Sequence, residues 1–138
     1  MPPKVKTLVH AEMIRDGGSL AAEFLDDRDV EWILFLPLRQ VNQEGRMERL
    51  GFDEPVLIDA SPDKRPAGTP GITYSKLSGP SYPLSWAQAQ ELTAQFARCS
   101  STLNERAASS LTKLCFAIGH DGKLPQDMER FLPARRQS

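Results

Sequence analysis

The chain has 138 residues, with 17 lysines and arginines, 18 aspartates and glutamates, and a formal net charge of −1. This length fits one domain that buries enough surface to fold without a disulfide or a metal ion. We therefore expect residues 1–138 to form a single domain. Proteins that bind nucleic acid usually concentrate basic residues on one face. The basic residues are spread along this chain, which argues against nucleic acid as a partner.

The cysteine spacing and the N-terminus indicate the compartment. Neither Cys99 nor Cys115 has a second cysteine or a histidine at a spacing typical of metal ligands. The first residues lack the apolar segment of a secretory signal, and the longest apolar run, residues 32–38, is too short to span a bilayer. We expect a cytoplasmic protein that does not associate with membranes, with both thiols free and buried.

The N-terminal part of the chain has the pattern of β-strands. Residues 4–15 mix β-branched and polar residues, and residues 20–25 alternate with period two. The turn Asp16-Gly17-Gly18-Ser19 joins them, since two consecutive glycines accept the positive φ of a tight turn. The charged residues 26–29 predict a second turn.

The third predicted strand, residues 30–38, is apolar on both faces. A strand without alternation is normally covered on both sides, so this strand should be central in its sheet. Pro37 cannot donate a backbone hydrogen bond and should interrupt the pairing.

The middle of the chain is less regular. Residues 40–51 are polar and predict a long loop or a short helix, and residues 55–59 predict a fourth strand. Residues 61–83 are rich in proline and glycine, which favours a long ordered loop with one short strand at 72–76. Long loops in compact domains are often functional.

The last third changes to the 3.6-residue period of helices. Ser85 and Gln88 form a capping box for a helix that runs to about residue 99. Asn104 caps a second helix, and Gly119 should end it in the left-handed region.

A short terminal helix at 126–132 and a frayed tail at 133–138 are expected to follow. Strands followed by helices predict an α+β fold. Specifically, we expect an N-terminal antiparallel β-meander of four to five strands, with two main C-terminal helices packed on one of its faces.

Searches for catalytic and ligand-binding motifs find little. A hydrolase needs a base beside its nucleophile, but His10 lies in the first strand and His120 in a turn after a helix. A pairing of Cys115 with His120 in space stays open. There is no phosphate-binding loop and no calcium loop. We expect no cofactor, no metal and no enzymatic activity.

The strongest local charge lies around the second turn. The segment 23–31 contains five acids and one base, a local charge of −4. Such a patch would attract a partner with a basic surface and raise the rate of association. Ordinary solvated charge at a hairpin tip is the alternative. The acids are Glu23, Asp26, Asp27, Asp29 and Glu31.

Two tyrosines of the proline-rich segment, Tyr74 and Tyr82, are further candidates for partner binding, because tyrosine combines an apolar ring with a polar tip. Packing of Tyr82 beneath the Ser85 helix is an equally good interpretation.

The pattern Tyr82-Pro83-Leu84-Ser85-Trp86-Ala87-Gln88-Ala89, together with the size and the order of elements, resembles bacterial immunity proteins of contact-dependent inhibition and related polymorphic toxin systems. The resemblance implies a cytoplasmic protein that binds and neutralises a cognate toxin domain, often a nuclease. A structural or adaptor domain with another partner and a small enzyme with an unrecognised site remain alternatives.

Overall fold

The computed structural model describes residues 3–14, 18–99 and 103–123. This part of the chain contains seven strands and three helices. In chain order they are β1 Val5–Met13, β2 Leu20–Asp26, β3 Glu31–Leu36, β4 Leu38–Gln43, β5 Arg46–Phe52, β6 Val56–Asp59, α1 Tyr74–Leu77, β7 Ser81–Pro83, α2 Trp86–Phe96 and α3 Glu105–Gly119.

Five strands form one antiparallel sheet in the order β1-β2-β3-β6-β7. Strand β3 is central, as its apolar pattern predicts, and it ends at Leu36 immediately before Pro37. The two main helices, α2 and α3, pack on one face of this sheet, so the predicted α+β fold is confirmed.

The face beneath the helices holds the larger apolar core. Phe24, Leu34 and Leu36 are fully buried there, because period-two alternation directs the even-numbered residues of β2 and β3 to the same side. The ring of Phe24 lies 5.6 Å from the ring of Phe96 on α2.

Residues 61–80, which we call the strap, cross the opposite face of the sheet. This face contains a smaller apolar cluster built from Ala21, Ile33, Ile58 and Ala60. Ile72 and Leu77 of the strap pack against the cluster, so the predicted long loop is an ordered cover for the sheet.

The predicted helix starts are confirmed. The Ser85 hydroxyl accepts from the Gln88 amide at 3.1 Å, and the Gln88 side chain accepts from the Ser85 amide at 2.9 Å. The Asn104 side chain likewise accepts from the Ala107 amide at 2.8 Å.

The predicted end of α3 at Gly119 agrees with the structure, but the left-handed conformation expected at Gly119 is wrong. The helix includes Gly119, and positive φ angles occur instead at Asp121 and Gly122. Glycine is required at position 122 because a Cβ there would overlap the Trp86 ring. The close contact with Trp86 therefore requires glycine at position 122, where the backbone is left-handed.

Residues 40–51 are a β-hairpin and not the predicted loop or short helix. Strands β4 and β5 pair across Glu44 and Gly45, which both have positive φ, as a two-residue hairpin turn requires. Every residue from 41 to 48 is exposed. Because neither side of these residues faces the core, the alternation that marks a strand is missing from the sequence.

Two short elements lie within the predicted loop 61–83. The expected strand at 72–76 is wrong, since Thr73 caps the helical turn α1 there. Strand β7 pairs with β6 and was not expected. Asp16 and Gly17 of the first turn, the predicted helix 126–132 and the tail 133–138 lie outside the described residues. Among those described, no helix is long and apolar enough to cross a membrane.

Candidate functional site

The five acidic residues around the second turn do not form one exposed patch. Glu23, Asp26 and Glu31 are buried, with 0%, 0% and 4% of their surface exposed, so the expectation that all five share a solvated tip is wrong. Alternation in β2 and β3 directs Glu23 and Glu31 toward the strap, whereas Asp27 and Asp29 stay at the surface.

Asp26 organises the turn between β2 and β3. Its Oδ1 accepts from the amides of Arg28 at 2.8 Å and Val30 at 2.9 Å, and its Oδ2 accepts from the Trp32 indole at 3.0 Å. Burial acts to raise the pKa of Asp26, but these hydrogen bonds outweigh it and lower the pKa below its usual value. Asp26 is therefore a structural residue of the turn.

Ion pairs neutralise most of the remaining charge at this turn. Lys6 pairs with Asp29 at 2.8 Å, and Arg28 approaches Asp26 at 3.3 Å. Within the described part of the chain, Asp27 is the one acid of the turn that makes no ion pair or hydrogen bond. The exposed negative field is thus smaller than the sequence indicates, and attraction of a basic partner depends on Asp27 and Asp29.

Tyr82 lies beside this turn in space. It is 51% exposed on the edge strand β7, which disagrees with packing beneath α2. Its ring centroid lies 6.3 Å from that of Trp32, whose indole is bound to Asp26. A groove of about 430 Å³ opens there, lined in part by Arg28 and Gln88. The fold thus joins two regions that are far apart in the sequence.

Tyr74 is not part of this groove. It is the first residue of α1 in the strap, and 92% of its surface is exposed. The two tyrosines therefore belong to separate surfaces.

A buried charged cluster beneath the strap was not predicted from the sequence. Lys76 of α1 is 1% exposed, and its ammonium donates to Glu23 Oε2, to Glu31 Oε1 at 2.7 Å and to the Thr69 carbonyl at 3.0 Å. A lysine in a proline-rich segment normally points to solvent. The sequence feature that could have indicated a buried charged cluster is the position of Glu23 and Glu31 among apolar strand residues.

This cluster contains two carboxyl groups for one ammonium group. Burial raises the pKa of Glu23 to about 8, and the neighbouring Glu31 carboxyl group acts in the same direction, whereas Lys76 lowers the pKa. Glu23 Oε1 is buried and makes no hydrogen bond. The raised pKa of Glu23 favours the protonated form of this carboxyl group, in which the cluster is close to electrically neutral.

Within the described residues, no histidine side chain forms a hydrogen bond with a cysteine. The His120 ring stacks on Phe116 with centroids 4.2 Å apart, and its Nδ1 lies 2.8 Å from the Phe116 carbonyl. Both cysteines are free and partly buried. Burial raises the pKa of Cys115 to about 11, which disfavours the reactive thiolate. The described residues include no group of three ligands that could hold a metal.

Three of the large exposed apolar side chains of the described residues lie on the hairpin arm, which we define as residues 38–52. Val41, Met47 and Leu50 are 40%, 51% and 44% exposed. The arm is a separate two-stranded sheet beside the five-stranded one. It also carries Arg39, Arg46 and Arg49, and none of these makes an ion pair with a described residue.

Comparison with known proteins finds no matching family model, no matching curated protein and no matching solved structure.

Proposed function

We propose that this chain is a protein-binding domain that neutralises a cognate toxin domain in the manner of immunity proteins. The observation that carries the proposal is the hairpin arm. It holds three of the large exposed apolar side chains, Val41, Met47 and Leu50, on an element separate from the main sheet. Val41 and Leu50 lie on one face of the hairpin and Met47 lies on the other, because Val41 pairs with Glu48 and Asn42 pairs with Met47. Exposed apolar residues concentrated on one element are typical of surfaces that another protein covers.

The chemistry of the arm suits a protein interface. Burial of an exposed aliphatic side chain contributes about 1.5–3 kcal/mol when it is complete. Methionine and arginine are enriched at the centres of interfaces, and the arm contains Met47 with Arg46 and Arg49 as its neighbours. The arginines are free of competing ion pairs with described residues, so they can meet carboxylates of a partner.

Neutralisation of a toxin is supported by the helix-opening segment 82–89 and by the size and order of elements, which resemble immunity proteins. Those features do not name the toxin's activity. A structural or adaptor domain would use the same arm for another partner, so the arm supports protein binding in general and the resemblance supports the toxin.

A protection experiment tests the proposal. The chain is co-purified with the product of its neighbouring gene and is expressed in cells that produce that product. We expect a complex and survival of the cells. Formation of a complex without survival of the cells would favour a structural or adaptor domain. The absence of both the complex and survival would contradict toxin neutralisation.

The arm is tested in the same complex with the triple variant Val41→Ser, Met47→Ser and Leu50→Ser. Loss of exposed contacts at the centre of an interface should weaken binding at least about 100-fold. Tyr74→Ser is the matched control, because Tyr74 is also apolar and exposed but lies on the strap. Wild-type affinity of a folded triple variant would show that the arm is not the binding surface.

A further inference from the structure

The strap is attached to the sheet by a small set of contacts. Lys76 reaches Glu23 on β2 and Glu31 on β3, and the Ile72 amide donates to Glu12 on β1 at 2.9 Å. Beyond these polar contacts, the strap contributes Ile72 and Leu77 to the small apolar cluster. The end of the strap is also held by the Pro80 carbonyl, which accepts from the Asp59 amide of β6 at 2.8 Å. Lys76 is the buried cation among these contacts.

The charge balance of this attachment is unusual. With both carboxyl groups ionised, the cluster holds one negative charge that no buried cation compensates. Burial of an uncompensated charge is costly, and one retained proton removes it. Glu23 Oε1 has no hydrogen-bond partner and lies fully inside, so ionisation of Glu23 leaves a bare carboxylate oxygen without solvent.

We propose that this cluster is a proton-dependent lock, in which Lys76 holds the strap closed while the Glu23 carboxyl group keeps its proton, and that loss of the proton to solvent favours strap opening. An open strap would uncover Ala21, Ile33 and Ile58 on the sheet. The lock does not depend on the hairpin arm or on any partner.

Other charged groups on this side of the sheet are occupied elsewhere. On β1, His10 Nε2 lies 3.5 Å from Glu12. In the strap, Asp63 pairs with Arg65 and accepts from the Ser75 hydroxyl. The Ser75 bond, together with the Arg65 amide, lowers the pKa of Asp63 to about 2.

Strand β6 contributes only apolar residues to this face, with Ile58 paired to Ile33 and Val56 paired to Phe35. Besides the lock's own three members, the ionisable residue beside Glu23 is His10 of β1, which is the cross-strand partner of Glu23 and has its ring against Glu12.

The sign of the pH effect follows from linkage. The closed state holds the Glu23 proton up to a pKa of about 8, whereas the open state releases it near the ordinary value of 4.5. Between those values the open state binds fewer protons, so the equilibrium constant for opening should rise about tenfold per pH unit. At pH values below and above this window, the equilibrium constant for opening should not change with pH.

Amide hydrogen exchange, corrected for intrinsic rates, measures this opening in the whole chain. The Ile72 and Leu77 amides report on the strap, and the Leu34 amide in the central strand reports on global unfolding. We expect the strap amides to follow the tenfold slope and to exchange faster than Leu34. Exchange of strap and core amides at one common rate at each pH would overturn the proposal.

Two further measurements assign the effect to Glu23. Glu23→Gln keeps the Lys76–Glu31 pair and removes the proton, so the slope should disappear, whereas the control Glu91→Gln, at an exposed glutamate of α2, should retain it. An unchanged slope in Glu23→Gln would overturn the proposal. In the wild-type chain, the carboxyl carbon of Glu23 should titrate near pH 8 by NMR, and titration in the ordinary acidic range would overturn it without any variant.

Discussion

The two faces of the five-stranded sheet are covered by opposite means. Beneath α2 and α3, closely packed apolar side chains such as Phe24 and Phe96 exclude water. Beneath the strap, a smaller apolar cluster surrounds a lysine and two glutamates. The first face is stabilised by non-directional burial, and the second depends on particular partners because an unpaired buried charge is costly. The strap face is therefore the one that a single proton or substitution can alter.

The largest effect should come from removing the central cation. Lys76→Met leaves two carboxyl groups buried without a partner, and we expect a loss of about 3–5 kcal/mol in the free energy of unfolding at pH 7. Urea denaturation measures it. The control Lys64→Met removes an exposed lysine of the same strap and should change stability by less than about 0.5 kcal/mol.

A second variant separates charge from packing on that face. Replacing Glu23 and Glu31 by leucine together with Lys76→Met removes all buried charge, so most of the lost stability should return. A triple variant as unstable as Lys76→Met alone would show that the strap face depends on shape and not on charge pairing.

On the helix face the corresponding test is Leu92→Ala. Leu92 is fully buried on α2, and deletion of its side chain should cost about 2–5 kcal/mol through lost burial and a residual cavity. This loss should be nearly independent of pH between 5 and 8, since no titratable group takes part. If the stability loss in Leu92→Ala depended on pH as steeply as strap opening does, the two faces of the sheet would not differ in their response to protons.

A smaller effect is expected at the start of α2. Ser85→Ala removes the hydroxyl that accepts from the Gln88 amide, and the loss should be about 1 kcal/mol. Thermal unfolding measures it, and Ser85→Asp should restore most of it because aspartate also caps helices. No change in the alanine variant would mean that solvent satisfies the Gln88 amide equally well.

The smallest change in stability is expected at the turn between β2 and β3. Asp27→Lys lies at an exposed site without an ion pair to described residues, so the free energy of unfolding should stay within about 0.5 kcal/mol of wild type. If the partner presents a basic surface, the association rate should fall, most strongly at low salt. Stopped-flow binding measures it, and an unchanged rate would contradict a basic partner surface at this turn.

Local rules were sufficient for much of the fold. The uninterrupted apolar run of β3 indicated a strand covered on both sides, and the capping residues Ser85 and Asn104 marked both helix starts. The polar hairpin β4–β5 escaped prediction because residues exposed on both sides have no period. Gly119 ends α3 as predicted, but the left-handed conformation expected there lies at Asp121 and Gly122, where Gly122 packs against Trp86.

The sequence alone therefore determined the α+β class, the central strand and the helix caps, since these follow from interactions among residues that are close along the chain. Only the tertiary structure decided which acidic residues are buried. Lys76, which lies on the strap and is distant in sequence, pairs with Glu23 and Glu31. The buried Asp26 accepts a hydrogen bond from the Trp32 indole. The pairing and desolvation of a charge depend on its neighbours in space, and those neighbours have no fixed spacing in sequence.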